Sequence, residues 1–184
     1  MAAIVTSLRL AVVTLCVCVG GYTGLILAFA QVVTPHTADG SLLVRGDGTV
    51  VGSRLIAQPF SQLRYFWPRP SAVGHDAAGA GGSNESPTST DLTERARQAI
   101  AAYAATAANP LPGDLAAASG SGLDPHISEA AARYQIPRIA VARGSAAAAI
   151  EGMVDRAAFA PGGPFTGGRI VNVLELNRAL DGMR

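Results

Sequence analysis

The segment from Gly120 to Gly144, GSGLDPHISEAAARYQIPRIAVARG, places three residue types of hydrolytic enzymes close together. Asp124, His126 and Ser128 could supply an acid, a base and a nucleophile. A catalytic triad is defined by spatial geometry, however, and members this close in sequence seldom reach one another correctly. The chain also has no G-x-S-x-G nucleophile turn. A surface recognised by another protein is therefore the preferred interpretation, and a membrane-tethered hydrolase is the alternative.

The residues around Ser128 predict how this segment is built. Ser128 followed by Glu129 has the pattern of a helix N-cap with an acid in the first turn. Pro137 predicts a break between two short helices, and Gly144 predicts the end of the second. The polar residues expected on the outer face of this piece are Gln135, Arg138 and Arg143.

The remaining elements predict an α+β fold. SLLVRGDGTVVGS is typical of a β-hairpin, and SRLIAQPF is a further candidate strand. YFWPRPSA is expected to be extended and stiff, either as a packing corner of the core or as a recognition surface. Gly74 to Thr90 is a Gly/Ser-rich loop, and Asp91 to Ala108 is an amphipathic core helix. Two more helices are expected, with Ser145 and Asn172 as their N-caps. The side chains predicted to be buried in these two helices are Ile150, Met153, Val154, Val173, Leu176 and Leu180.

The composition excludes several function classes. All 14 basic residues are arginine, so the chain has neither the lysine of a phosphate-binding loop nor the lysine of a Schiff-base enzyme. The net charge is +1 and charges of both signs are scattered, which argues against nucleic-acid binding. Cys16 and Cys18 would point to different faces of a helix, so neither a disulfide nor a metal site is expected from them.

The N-terminal segment from Leu10 to Ala30 predicts a transmembrane helix. It is uncharged and as a helix spans about 31 Å, close to the bilayer core of about 30 Å. Because Arg9 precedes it and no arginine follows before Arg45, residues 1–9 are predicted to be cytoplasmic and residues 31–184 to form one extracytoplasmic domain. Gly20 and Gly24 form a G-x-x-x-G pair that would allow close approach of a partner helix.

Cleavage of this segment is the alternative. The residues AFA before Gln31 fit the pattern of a signal-peptidase site, which would release a secreted binding protein. A cleavable apolar region is usually about 7–15 residues long, and this one is longer. A retained anchor is therefore favoured.

Several motifs in a fixed order resemble one protein family. They are the single N-terminal span, RPSA at Arg69 to Ala72, GGSN at Gly81 to Asn84, SGLDPHIS at Ser121 to Ser128, QIPRIAVAR at Gln135 to Arg143 and VNVLELN at Val171 to Asn177. Each motif alone is weak, but together they cover nearly the whole chain. In this pattern the chain resembles the KdpC family, the C subunit of the bacterial Kdp potassium-transporting ATPase.

The resemblance implies a non-catalytic subunit of a membrane complex. Its partners would be a potassium-channel-like subunit, a P-type ATPase subunit and membrane lipid, and ATP and potassium would be handled by the complex. The family's C subunit is described as a catalytic chaperone that raises the ATP affinity of the ATPase subunit. An aspartyl-phosphate motif D-K-T-G cannot occur in a lysine-free chain, which fits this division of labour.

Two points limit what the resemblance implies. The family often has His-Gly where this chain has Trp67-Pro68, so a side-chain role at these positions is not carried over. The predicted topology also places the domain across the membrane from cellular ATP, so no nucleotide-binding residue is assigned. No catalytic or metal-ligating residue is predicted, and the candidate subunit-contact residues are Gly20, Gly24, Ser121, Gly122, Asp124, His126, Gln135, Arg138, Arg143, Asn172, Glu175 and Asn177.

Overall fold

The structure is a computed structural model that describes residues 1–183. It divides into two compact units, Met1–Ser53 and a second unit that begins at Arg54. Helices and short strands are mixed along the chain, which confirms the α+β prediction. The elements are α1 Ala2–Leu15, a π-helical stretch Cys16–Tyr22, α2 Thr23–Val33, α3 Pro35–Ala38, β1 Leu42–Val44, β2 Val50–Ser53, α4 Thr90–Ala102, α5 Gly113–Ala116, β3 His126–Ser128, α6 Glu129–Arg143, α7 Ala147–Ala157, a 3₁₀ turn Gly163–Phe165, β4 Ile170–Asn172 and α8 Val173–Asp181.

The first unit begins with a long apolar helix. Ala2–Val33 is helical throughout, has a mean hydropathy of 2.3 and is long and apolar enough to cross a membrane. None of its side chains is buried within the protein, as expected for a helix whose apolar surface is covered by something else. The helix extends beyond the predicted limits of Leu10 and Ala30 at both ends. The π-helical stretch was not predicted, and it contains Cys16 and Cys18, which are both free.

The predicted hairpin follows this helix and is confirmed. Strands β1 and β2 pair antiparallel, with Leu42 opposite Ser53 and Val44 opposite Val50. In the turn, the Asp47 carboxylate accepts a hydrogen bond of 2.9 Å from the Thr49 backbone N–H. Gly48 has φ +86°, a left-handed conformation that glycine adopts without steric cost.

The second unit is built around a two-stranded antiparallel sheet and three helices. Strand β3 pairs with β4, with His126 opposite Asn172 and Ser128 opposite Ile170. The apolar faces of α6, α7 and α8 supply most of the core next to this sheet. All six side chains predicted to be buried in the last two helices are buried. The fully buried side chains of this core include Phe66, Leu115, Ile127, Ile139, Ile150, Val154, Val171, Leu176 and Leu180.

Two predictions between the hairpin and α4 met different outcomes. The separate strand predicted in SRLIAQPF is wrong, because Ser53 is the last residue of β2, Arg54 and Leu55 lie in a turn, and residues 54–60 belong to no strand. The Ala57 N–H donates to the distant Leu123 carbonyl, and Pro59 has no N–H to continue a ladder. The packing corner is confirmed, since Phe66 is completely buried.

Helix α4 differs from its prediction at both ends. It begins at Thr90 rather than Asp91, because Ser89 is the N-cap and its hydroxyl accepts hydrogen bonds from the N–H groups of the first turn. It ends at Ala102 rather than Ala108, because Ala104 takes a left-handed conformation with φ +50°. None of its side chains is fully buried, so its description as a core helix is also wrong.

The break predicted at Pro137 does not occur. Helix α6 runs unbroken from Ser128, its N-cap, to Gly144, its left-handed C-cap with φ 62°. A proline inside a helix costs about 3 kcal/mol through the lost hydrogen bond and a clash. Buried side chains on both sides of Pro137, including Ile136 and Ile139, hold the two halves in register. The Ser145 cap of α7 is also wrong, because the N-cap position is Ala146 and no side chain caps the helix.

Candidate subunit-contact site

An irregular segment from Tyr65 to Ser71 contacts several of the predicted site residues. Its backbone belongs to no strand, so its buried N–H and C=O groups need side-chain partners. Asn177 on α8 provides two of them, because its Oδ1 accepts from the Phe66 N–H at 2.8 Å and its Nδ2 donates to the Phe66 carbonyl at 2.9 Å. Both residues are almost completely buried. Asn177 therefore pairs with Phe66 as a neighbouring strand would.

Gln135 on α6 repeats this arrangement at the next residue. Its Oε1 accepts from the Trp67 N–H at 2.8 Å, and its Nε2 donates to the Trp67 carbonyl at 3.2 Å. The Arg138 guanidinium donates to the same Gln135 oxygen at 2.7 Å and lies over the Trp67 ring, 4.0 Å from its centroid. Burial lowers the pKa of Arg138 below its ordinary value. Two helices thus hold consecutive residues of one segment by side-chain amides.

The two arginines of α6 complete this set of contacts. Arg138 donates to the carbonyls of Leu63 and Tyr65 at 2.6 and 3.0 Å. Arg143 donates to the Arg64 carbonyl at 2.7 Å and to the Asp181 carboxylate at 2.8 Å. The expected outer-face placement of Gln135, Arg138 and Arg143 is therefore wrong. The reason is that the irregular segment presents carbonyls that the backbone of α6 cannot satisfy, and these side chains supply the donors.

Asp181 lies at the end of this contact set and is held as a carboxylate. Burial raises its pKa, but hydrogen bonds from Arg143 and from the Tyr65 hydroxyl at 2.8 Å act in the opposite direction. The charge of Arg64, 3.6 Å away, adds to them, and the pKa of Asp181 lies below its ordinary value. Burial and the Asp181 hydrogen bond raise the pKa of Tyr65.

Asp124 and His126 form a pair that also includes Arg69. The Asp124 Oδ1 accepts from both the backbone N–H and the ring Nδ1 of His126, each at 3.0 Å. The Arg69 guanidinium lies 3.4 Å from the Asp124 Oδ2 and donates to the Ala118 carbonyl. The His126 side-chain hydrogen bond lowers the pKa of Asp124 against the opposing effect of burial, and the His126 N–H and the Arg69 charge act with it. Sequence reasoning missed Arg69, although it begins the RPSA motif.

Ser128 does not join this pair. Its backbone N–H and its hydroxyl donate to the Asp114 carboxylate at 2.8 and 3.2 Å, while the hydroxyl accepts from the Ala131 N–H as the cap of α6. No hydrogen bond links Ser128 to His126 among residues 1–183, so the three residues do not form a triad. Asp114 was missed because it lies on the short helix α5, 14 positions before Ser128, and no sequence pattern connects the two residues.

Ser121 and Gly122 lie where three of the sequence motifs meet. Gly122 has φ +69°, and an added Cβ would lie 2.5 Å from the Val73 side chain. The Ser71 hydroxyl donates to the Gly122 carbonyl at 2.7 Å, and the Gly81 N–H donates to the Ser121 carbonyl at 2.8 Å. The motifs RPSA, GGSN and SGLDPHIS are therefore contiguous in space, and only glycine fits at position 122.

The remaining candidates lie on α8 and on the apolar helix. Asn172 is the confirmed cap of α8, accepting from the Glu175 N–H at 3.1 Å, and it also donates to the Arg54 carbonyl at 2.7 Å. Glu175 is half-exposed and lies 3.4 Å from the Arg54 guanidinium. No atom comes within 4 Å of a Cβ added at Gly20 or Gly24, so the helix surface is open there.

Taken together, the structure separates the candidates by exposure. Gly122, Gln135, Asn172 and Asn177 are buried, whereas Ser121 is exposed. The half-buried candidates are Asp124, His126, Arg138, Arg143 and Glu175. Among residues 1–183 no group of three or more His, Cys, Asp or Glu side chains could hold a metal ion. The arrangement is suited to hydrogen bonding and packing, with buried amides that fix the shape of a partly exposed polar surface.

Comparison with known proteins decides the family. The family model described as "KdpC: K+-transporting ATPase, c chain" matches residues 4–182. The chain belongs to the KdpC family. A protein of Parvibaculum lavamentivorans named "Potassium-transporting ATPase KdpC subunit" is 55% identical over 181 residues, covering 98% of this chain and 97% of its own length. Proteins of the same name from Sorangium cellulosum and Geobacter sulfurreducens are 46% and 45% identical, covering 96% and 89% of this chain and 98% and 89% of their own lengths.

Membership of the KdpC family confirms the resemblance and establishes the general role of the chain as a transport subunit. The chain is an accessory subunit of a potassium-transporting ATPase complex, so it takes part in potassium uptake together with other subunits. The match includes the apolar helix as well as the second unit, in agreement with a membrane-associated subunit.

Proposed function

We propose that the chain is a non-catalytic subunit that stabilises the potassium-transporting complex and acts as a catalytic chaperone, raising the affinity of the ATPase subunit for ATP. The family match over residues 4–182 is the observation that carries this proposal. The site supports a binding role, since its polar side chains are engaged in holding the Tyr65–Ser71 segment and the motifs around Gly122. ATP and potassium are handled by the other subunits.

The proposal places the apolar helix in lipid and the second unit outside the cytoplasm. The distribution of arginine supports this orientation, because Arg9 precedes the helix and no further arginine occurs before Arg45. The open face at Gly20 and Gly24 would pack against a helix of a partner, and the partly exposed Ser121, Asp124, His126 and Glu175 would contact the channel-like subunit.

An effect on ATP then has to pass through the membrane part, because the second unit lies across the membrane from the nucleotide. Leucine at Gly20 and Gly24 would keep the helix apolar but fill the open face. We expect these two substitutions to raise the KM for ATP of the assembled complex, whereas Phe29→Leu, which exchanges one exposed apolar side chain for another, leaves it unchanged. An unchanged KM for all three variants would contradict transmission through the anchor.

Co-purification in mild detergent tests the subunit role. The chain should be recovered with a channel-like and an ATPase subunit, and the purified chain alone should hydrolyse no ATP. Omitting the chain should lower the ATP affinity of the remaining subunits, measured as KM in a phosphate-release assay. Recovery of the chain alone, or robust ATP turnover by it, would refute the proposal. Hydrolase activity that His126→Ala abolishes would instead support a tethered hydrolase.

Orientation is tested by labelling a single cysteine. Phe165 is 94% exposed, so Phe165→Cys in a chain with Cys16→Ser and Cys18→Ser presents one accessible thiol. A membrane-impermeant maleimide should label it in intact spheroplasts. Labelling only after permeabilisation would place the second unit in the cytoplasm. The mass of the mature chain then separates a retained anchor from a secreted protein that begins at Gln31.

A further inference from the structure

An aromatic groove lies between the Tyr65–Ser71 segment and α4. Its volume is about 430 Å³, and its wall contains Phe60, Trp67, Pro68, Tyr103 and Leu115. Trp67 and Tyr103 meet edge to face, with ring centroids 5.1 Å apart. The buried amide contacts of Gln135 and Asn177 fix one side of this groove, because they hold the backbone of residues 66 and 67.

Two arginines line the groove, and one of them has no carboxylate partner among the described residues. Arg69 and Arg95 line it together with His75, and no carboxylate among residues 1–183 does so. Arg69 is paired with Asp124. The Arg95 guanidinium makes no ion pair with the described residues, and its Nη1 is shielded from solvent and lacks a hydrogen-bond partner among them. A guanidinium with one shielded N–H group that has no partner is unfavourable, so an acidic group supplied by an occupant would stabilise this arrangement.

The shape of the groove favours an extended chain over an enclosed small molecule. It is open along one side, whereas small-molecule sites usually bury most of their ligand. Grooves walled by aromatic rings commonly bind extended peptide segments. Helix α4 also buries none of its own side chains completely, which leaves its groove-facing surface available. A peptide with an acidic side chain next to an apolar one could pair its carboxylate with Arg95 and pack its apolar side chain against the aromatic wall.

We propose that this groove binds an extended acidic–apolar polypeptide segment of another subunit of the complex, with Arg95 pairing to its carboxylate. The inference rests on the proposed function, because it requires a partner subunit. Arg95 is the specificity-determining residue, and the aromatic wall accepts the neighbouring apolar side chain. Binding would also cover the part of the Arg95 side chain that is still exposed.

Site-specific crosslinking in the assembled complex tests this proposal. Benzoylphenylalanine is placed at Gln98, which lines the groove, or at Arg97, which is on the same helix and does not line it. Crosslinked peptides are identified by mass spectrometry. Only the residue at position 98 should crosslink to a partner segment that contains an acidic residue beside an apolar one. Arg95→Glu should reduce that crosslink about tenfold or more, as expected for loss of a charge-assisted hydrogen bond and addition of a like charge.

The matched control is Arg97→Glu, which makes the same charge change on α4 at an arginine paired with Glu94 and exposed to solvent. It should leave the position-98 crosslink unchanged, and Arg95→Lys should retain part of it. Three outcomes in an intact complex would refute peptide binding in the groove and leave the proposed function standing. They are no protein crosslink at position 98, a crosslink to lipid alone, and equal losses of the crosslink in the two glutamate variants. Failure of the unmodified chain to co-purify with partners would overturn both.

Discussion

Replacing Asn177 with leucine tests whether a single buried amide holds the Tyr65–Ser71 segment in place. The substitution keeps the side chain similar in size but removes the acceptor for the Phe66 N–H and the donor for the Phe66 carbonyl. Each buried backbone group left without a partner costs about 1–3 kcal/mol. Two such groups, offset in part by the apolar gain of leucine, give an expected loss of about 2–4 kcal/mol in the free energy of unfolding. That loss is a large share of the stability of a typical domain.

The fluorescence of Trp67 makes this loss measurable. It is the only tryptophan of the chain and lies next to Phe66, so urea unfolding of the full chain in detergent can be followed at the affected segment. The control is Asn109→Leu, because Asn109 is exposed and its side chain makes no hydrogen bond with residues 1–183. The control should change the unfolding free energy by less than about 0.5 kcal/mol. If Asn177→Leu loses no more than the control, the amide does not hold the segment and the reasoning fails.

Three further predictions concern the surrounding contacts. Gly122→Ala should lower the unfolding free energy by at least about 2 kcal/mol, because the added Cβ strains a left-handed backbone and overlaps the neighbouring segment. Gly120→Ala is the control, since a Cβ at position 120 meets open space. Equal effects of the two substitutions would contradict the close packing. Ser128→Ala should lower the free energy of unfolding in urea by about 1 kcal/mol through loss of the helix cap. Ser145→Ala should change it little, because Ser145 is not the N-cap of α7. An unchanged stability of Ser128→Ala would refute the capping role. Because the folded-state pKa of Asp124 is lowered, its stabilising contribution is present above its ordinary pKa of about 3.9 and is lost as the pH falls through the folded value. Urea midpoints between pH 3 and 7 should show a smaller acid-induced drop in Asp124→Asn than in the parent chain, and identical pH profiles would contradict this.

The parts of the site that the sequence predicted correctly are local ones. Ser128 and Asn172 were recognised as caps because a cap depends on residues within one helical turn. The Ser128 hydroxyl donates to Asp114 rather than to His126 in the described part of the chain, so its role as a cap is the one that the structure shows. The partners Asp114 and Arg69 were missed, since tertiary contacts between segments distant in sequence bring each of them to its partner.

Two of the errors arise from tertiary contacts that the local sequence does not show. Gln135, Arg138 and Arg143 were expected outside because long polar side chains on a helix usually face water. They point inward because the carbonyls of residues 63 to 67 have no strand beside them and need donors. Pro137 was expected to break α6, but buried neighbours on both sides outweigh the cost of one lost hydrogen bond.

The sequence by itself determined the family, the apolar N-terminal helix, the hairpin and the mixed α+β character, because motif order, hydropathy and turn residues are properties of the chain read locally. Only the tertiary structure decided which polar side chains are exposed and which hold the core. It also decided that an aromatic groove lies beside α4, with an arginine that has no ion-pair partner among residues 1–183. The physical reason is that a buried backbone group must find a hydrogen-bond partner, and in an irregular segment that partner comes from residues far away in sequence, such as Phe66 and Asn177.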